Sequence, residues 1–206
     1  MLIVLDSPGP VFYRATRVGK HGRTFRMLKF RKMRRCATGS PLTMQDDERF
    51  TPIGRFLALT KLDELPQLYN VLRGEMRLVG PRPEDVSFVD RYRAHYDEIL
   101  SVVPGITGPA AVRYAAESRL LAGHADPVAF YAEHLMPLKI EIDIAYTRNR
   151  TVLGDLRILM ATMFVPATRI ALRARSRRRR RAHHHSWILA TGCVAVLVLF
   201  AVGAGA

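Results

Sequence analysis

Hydrophobic and polar positions divide the chain into a short extended part followed by a long helical part. Ser7-Pro8-Gly9-Pro10 marks a turn, since two prolines around a glycine forbid helix. Beyond it, Val11–Val18 and Thr24–Met33 read as extended segments joined by Gly19-Lys20-His21-Gly22, which predicts a β-hairpin. Ala37–Glu48 is polar and loop-like, and Ile53–Leu59 reads as a short helix. A clearer helix comes next: Leu65, Leu68, Tyr69 and Leu72 fall at i, i+3, i+4 and i+7 on one face, with Gly74 where a C-terminal cap belongs. Glu84–Leu100 is helical in pattern and closed by Pro104-Gly105. Asp126–Met163 is helical again, with interruptions expected at Pro137 and Gly154. No internal repeat is present. The expected fold is α+β, mostly helical, with one small β-hairpin.

Composition adds a membrane to this picture. The 206 residues are 49% hydrophobic with a mean hydropathy of +0.01, compatible with one packed domain. The formal charge is +14, and eight arginines without an acid lie between Ala167 and Ala182. Such a run is attracted to nucleic acid or to anionic lipid headgroups. The segment after it decides between the two: Trp187–Ala206 carries no charge over twenty residues, about the length that spans the ~30 Å hydrocarbon core. A candidate C-terminal transmembrane helix preceded by arginines places that flank, and the body of the chain, at the cytoplasmic face of a membrane. Nucleic-acid binding is excluded as the main reading, because no DNA- or RNA-binding module accompanies the basic run. The expected division is residues 1–6, 7–165, a polybasic linker over 166–186 and an apolar tail over 187–206. Cys36 and Cys193 are too few for a structural zinc site. Met1–Leu5 is too short an apolar run for a signal peptide.

The candidate chemistry starts at Asp63-Glu64, immediately before Leu65-Pro66. Proline favours the first turn of a helix, so both acids are expected at a helix N-terminus, where free N–H groups favour carboxylates. One acid can serve as nucleophile or base while the other holds a divalent cation; an ordinary N-cap is the bland alternative. A run of cations precedes the pair, from Arg17 to Arg35. On an extended segment Lys29 and Arg31 share a face and suit a diphosphate. In Gly80-Pro81-Arg82-Pro83, prolines on both sides stiffen the backbone around one guanidinium, as an anion site requires. Pro104-Gly-Ile-Thr-Gly-Pro109 is expected as a second rigid turn.

Ser7–Phe12, Arg17-Val-Gly19, Phe25–Met33 (FRMLKFRKM), Lys61–Glu75 (KLDELPQLYNVLRGE), Leu78–Pro83 (LVGPRP) and Pro104–Gly108 (PGITG), in this order, resemble the bacterial sugar transferases. These are the monotopic phosphoglycosyl transferases, or polyprenyl glycosylphosphotransferases. The resemblance implies an enzyme in which Asp63 is the nucleophile and Glu64 binds Mg²⁺. Asp63 would attack the sugar-bearing phosphorus of a UDP-sugar, release UMP, and pass the phosphosugar to a polyprenyl (undecaprenyl) phosphate in the first membrane step of exopolysaccharide synthesis. Pro81, Arg82 and Pro83 match the family segment near the nucleotide, and Lys29 and Arg31 match its basic strand. A homodimer is compatible with the reading.

Three positions depart from the family pattern. Only Met1–Leu5 corresponds to the apolar re-entrant helix that precedes the SPGP block. Ala58 stands where an arginine is usual, with Lys61 nearby as a substitute. Ala115 stands at another arginine position, which leaves Arg113 to supply that charge. These departures motivate the alternative of a catalytically impaired member acting as a membrane partner in polysaccharide assembly. A hydrolase using Asp63 as a base is the remaining chemical alternative.

Overall fold

The computed structural model describes residues 2–35, 42–44 and 47–181, with side chains described as far as residue 167. Residues 1–166 form one compact unit. It opens with helix α1 (Leu2–Asp6), then the hairpin strands β1 (Phe12–Val18) and β2 (Thr24–Phe30). These pair antiparallel with Phe12 opposite Phe30 and Val18 opposite Thr24, as the turn chemistry predicts. His21 and Gly22 both adopt positive φ in the connection (57° and 74°), which closes the turn in few residues. One face of the hairpin buries Ala15 and Met27 against Met76.

Helix α2 (Pro52–Thr60) matches the expected short helix. Its start is over-determined: Pro52 occupies the first turn, Thr51 caps Gly54 N at 3.0 Å, and the Asp6 carboxylate accepts from Ile53 N at 2.9 Å. Lys61 then turns left-handed (φ 64°), and a single 3₁₀ turn, Leu62–Glu64, leads into α3 (Gln67–Leu72). The two acids therefore lie one turn before the α-helix rather than at its cap. Gly74, at φ 73°, ends α3 as its position predicts.

The leucine stripe of this segment does not face the core. Leu65, Leu68, Tyr69 and Leu72 are exposed, Leu72 by 86%, while Asp63, Gln67 and Asn70 are almost completely buried. The usual polarity of an amphipathic helix is inverted. Asn70 explains how this docks. Its Oδ1 accepts from Leu28 N at 3.0 Å and its Nδ2 donates to Arg26 O at 2.9 Å, so one amide completes the free edge of β2.

Strand β3 (Arg77–Val79) follows, then α4 (Val86–Arg91), α5 (Arg93–Tyr96) and β4 (Gly105–Thr107). The expected Glu84–Leu100 helix is thus broken into short pieces. Pro104–Thr107 is no turn: β4 lies parallel to β3, with Arg77 opposite Gly105 and Val79 opposite Thr107. Glycine permits this approach, since a Cβ on Gly105 would stand 2.2 Å from Gly80 N.

Helices α6 (Pro109–Arg113), α7 (Glu117–Leu121), α8 (Pro127–Phe130), α9 (Met136–Arg148) and α10 (Val152–Arg181) complete the described chain. Pro137 does not interrupt the helical run. A π-helical turn, Tyr131–Leu135, precedes it and leaves the proline in the first turn of α9, where its missing N–H costs nothing. Nor does Gly154 break the helix; the chain breaks at Asn149–Thr151, and Thr151 Oγ1 accepts from Gly154 N at 3.0 Å. The main core collects Phe88, Val89, Tyr96, Leu121, Tyr131, Leu135, Met136 and Ile140. The fold is mixed α and β, mainly helical, with a small antiparallel hairpin and an additional parallel strand pair. Among the described residues no helix is long and apolar enough to cross a membrane. The expected span over 187–206 lies outside the described residues, as do residues 37–41 and 45–46 of the expected loop.

Candidate active site

Three segments distant in sequence meet at Asp63 and Glu64. The end of β2 supplies Lys29 and Lys32, the turn after α2 supplies Lys61 and the acids, and the loop after β3 supplies Arg82. Arg82 Nη2 stands 2.5 Å from Glu64 Oε1; Lys61 Nζ and Lys29 Nζ lie 3.5 and 3.6 Å from the same oxygen. Lys32 Nζ is 3.1 Å from Asp63 Oδ2. Asp63 is buried, and its Oδ1 has no hydrogen-bond partner. A buried carboxylate oxygen without a donor is costly and needs a reason.

The electrostatics follow from crowding. Burial disfavours charge on Glu64, but Arg82, Lys61 and Lys29 outweigh it and hold the carboxyl well below the usual range. Lys29 is affected oppositely: burial first, then the neighbouring Arg82 guanidinium, push its ammonium down to about 7. The cluster carries more cationic side chains than acids, as a diphosphate site requires.

Arg82 is held from behind. Its Nη1 donates to Ile106 O at 3.2 Å, in the middle of β4. Pro81 O accepts from Gly105 N at 2.8 Å, and Pro81 and Pro83 are both buried, so the two prolines fix this loop against β4. Behind it Glu84 accepts from Lys139 Nζ at 3.0 Å and from Tyr131 Oη at 3.1 Å, while Lys139 also reaches Glu117 at 3.2 Å. Glu84 is thereby held ionised despite its burial.

Not every predicted residue joins the cluster. Arg31 does not pair with Lys29: β2 ends at Phe30, and the two side chains go to different neighbours. The Arg31 guanidinium donates to Ser7 Oγ at 3.2 Å, to Pro8 O at 3.0 Å and to the Ser7 carbonyl, pinning the SPGP turn. Arg113 lies exposed at the end of α6, with no ion pair to the acids. Sequence reasoning missed Lys32 and Gln67. Lys32 was one cation among many in its run, and only the strand's end directs it to Asp63. Gln67 is fully buried with both amide atoms unpartnered, one turn beyond Asp63. Its place at i+4 from the acid, beside exposed leucines, was the available signal.

The chain matches the family described as Bacterial sugar transferase over residues 1–169. It belongs to that family. It is 40% identical over 169 residues to the UDP-glucose:undecaprenyl-phosphate glucose-1-phosphate transferase of Caulobacter vibrioides, covering 79% of this chain and 59% of that protein. It is 38% identical over 168 residues to the UDP-N-acetylgalactosamine-undecaprenyl-phosphate N-acetylgalactosaminephosphotransferase of Aeromonas hydrophila, covering 79% of this chain and 37% of that one. An exopolysaccharide production protein, PSS, of Rhizobium leguminosarum is 36% identical over 178 residues, covering 82% and 84%. The chain spans less than two thirds of the length of the first two relatives.

The acid pair suits the Mg²⁺ that the resemblance implies. Among the described residues no three metal-ligating side chains come together. Mg²⁺, however, is commonly held by one or two carboxylates, with waters and substrate phosphates completing its shell. Glu64 is one such hard oxygen donor beside the cations that would meet the phosphates; its ion pairs from Arg82, Lys61 and Lys29 all go to Oε1.

Proposed function

We propose that the protein transfers a phosphosugar from a UDP-sugar to a polyprenyl phosphate through a covalent intermediate on Asp63. The observation that carries the reading is the buried Asp63 carboxylate with one oxygen unpartnered, beside a cluster of four cations. Asp63 would attack the sugar-bearing phosphorus, UMP would leave, and the acceptor phosphate would then displace Asp63. Arg82 and Lys29 would bind the donor's phosphates and offset charge on their oxygens, the main work in phosphoryl transfer. Mg²⁺ would be held by Glu64 with those phosphates and would supply further charge neutralisation there.

The acceptor is a membrane lipid, and the surface beside the site suits one. Phe56, Leu65, Leu68 and Tyr69 are about half exposed around the acid-bearing turn, and Leu72 almost wholly so. Contiguous exposed apolar side chains of this kind mark membrane or partner contacts. The arginines before the apolar 187–206 segment support a position for the protein at the cytoplasmic side of a bilayer.

The test uses membranes containing the full chain with Mg²⁺, undecaprenyl phosphate and a panel of UDP-sugars. Acceptor-dependent UMP release that Asp63→Ala abolishes supports the transferase and identifies its sugar. Free sugar phosphate without a lipid product supports hydrolysis. No UMP from folded, membrane-bound protein supports the impaired-member reading.

A further inference from the structure

Lys32 has no part in the roles assigned above, yet it makes the closest contact to the proposed nucleophile. Its backbone is fixed by α2: Lys32 O accepts from Thr51 N at 3.1 Å, and a Cβ on Gly54 would stand 1.9 Å from that same oxygen. Its ammonium lies 5.7 Å from the centroid of the buried Phe50 ring. From this anchored base it reaches Asp63 Oδ2 at 3.1 Å. The arrangement divides the cations by partner. Lys29, Lys61 and Arg82 meet Glu64, whereas Lys32 comes to Asp63. It also makes the two oxygens of Asp63 unlike: Oδ2 is held, and Oδ1 has no partner. Of the pair, Lys32 is the member solvent reaches, its side chain being 22% exposed against 3% for Asp63. An incoming phosphate therefore meets the ammonium before the carboxylate.

We propose that Lys32 is a positioning residue for the transfer: it holds Asp63 through Oδ2, fixes the carboxylate for attack on phosphorus, and keeps facing the negative charge as the phosphosugar arrives. This rests on Asp63 being the nucleophile. In the step, a bond forms between a carboxylate oxygen of Asp63 and the sugar-bearing phosphorus. The bond from that phosphorus to the bridging oxygen breaks, and its electron pair leaves with UMP. No proton moves. The carboxylate loses its charge on becoming an acyl phosphate, while the transferred phosphoryl group keeps one negative charge. Lys32 faces one anionic group before and after, so it needs neither to gain nor to lose a proton. A fixed cation that follows charge in this way favours the transition state over a mispositioned ground state.

The test compares full-length wild type, Lys32→Met and Lys32→Arg in membranes, each given radiolabelled UDP-sugar with Mg²⁺ and no acceptor. The rate of label entering protein is measured, together with donor KM for UMP release when acceptor is present. Lys32→Met is expected to slow labelling about 100-fold, the size of effect seen when one charge-stabilising donor is lost. Donor KM should change by less than about 3-fold, and Lys32→Arg should keep labelling within about 10-fold of wild type. Labelling of Lys32→Met at the wild-type rate overturns the proposal. So does an equal loss in Lys32→Met and Lys32→Arg when both unfold at the wild-type temperature, because charge then is not what matters. A rise in KM with the labelling rate intact overturns it as well, making Lys32 a donor-binding group only. If Lys32→Met does not fold, Lys32→Gln takes its place under the same criteria. Lipid product from Asp63→Asn removes the nucleophile reading itself, a failure separate from any result at Lys32.

Discussion

Arg82 and Glu64, eighteen residues apart, meet at 2.5 Å, and the same guanidinium is tied to Ile106 O at 3.2 Å. One side chain thus joins the LDELPQL, LVGPRP and PGITG segments. Their co-occurrence in the sequence has a physical cause: the acid pair is positioned by Arg82, and Arg82 by β4. Arg82→Gln leaves Glu64 buried beside fewer cations. It should cost about 3 kcal/mol of stability, as when one member of a buried ion pair is removed. Activity should fall about 100-fold or more, checked by denaturant unfolding and UMP release.

The parallel strand pair makes a second prediction. A Cβ on Gly105 would lie 2.2 Å from Gly80 N and 2.6 Å from Thr107 O, both backbone atoms that cannot yield as a side chain would. Gly105→Ala should force β3 and β4 apart, destabilise by about 3 kcal/mol or more, and remove the carbonyl that anchors Arg82. Gly123→Ala is the control: its Cβ would meet nothing nearer than Leu120 O at 4.0 Å, so its unfolding midpoint should stay close to wild type.

Asn70 carries the docking of α3 on β2. Asn70→Leu has similar volume but strands Leu28 N and Arg26 O at a partly buried edge. A loss of about 2–4 kcal/mol is expected, with activity falling in step because the acid-bearing turn leads into this helix. Thermal unfolding and UMP release on the same preparation check this.

Asp143 gives a pH prediction. Burial pushes its carboxyl up to about 7, against an opposing pull from Lys139 and with Glu84 reinforcing the rise. In the unfolded chain an Asp titrates near 4. Between these values the native state holds a proton that the unfolded state has released. The stabilisation is therefore complete below about pH 4 and is lost as pH rises through about 7. Wild type should lose stability relative to Asp143→Asn by a few kcal/mol between pH 4 and pH 8, measured by urea unfolding at each pH. A wild type that gains on the variant over that range contradicts the assignment.

The exposed stripe yields a fifth prediction. Leu68→Ser/Leu72→Ser replaces side chains that are 45% and 86% exposed, so stability in detergent should change by less than about 1 kcal/mol. Binding to vesicles containing anionic lipid should fall about 30-fold or more, as expected from removing two apolar anchors of about 1–2 kcal/mol each. Unchanged vesicle binding would separate this stripe from the membrane.

Local rules made the hairpin and α2 legible, because turn glycines, alternation and a threonine cap act within a few residues. They gave the helix that carries the Leu65–Leu72 stripe but not its orientation, since periodicity reveals which residues share a face but not what that face meets. Here the polar residues Asp63, Gln67 and Asn70 go inward, where β2 lacks a partner strand and a substrate needs a carboxylate. The β3–β4 pair was invisible for a different reason: strands of three residues, separated by helices α4 and α5, leave no pattern of their own. Of the site, Asp63, Glu64 and Arg82 stood out through motif and proline context, and Lys29 through its strand. Arg31 goes to Ser7 and Pro8 while Lys32 reaches Asp63, because the end of β2 at Phe30 changes where the following side chains point.

The central claim is tested most directly by incubating the full-length protein with Mg²⁺ and its UDP-sugar, withholding polyprenyl phosphate, and analysing the peptide that contains Asp63 by mass spectrometry. A phosphosugar adduct on Asp63, formed with one equivalent of UMP and discharged on adding the acceptor, is the predicted result. Lipid product made at a normal rate by Asp63→Asn, with no adduct on the wild-type peptide, would contradict the account and require direct transfer from donor to acceptor.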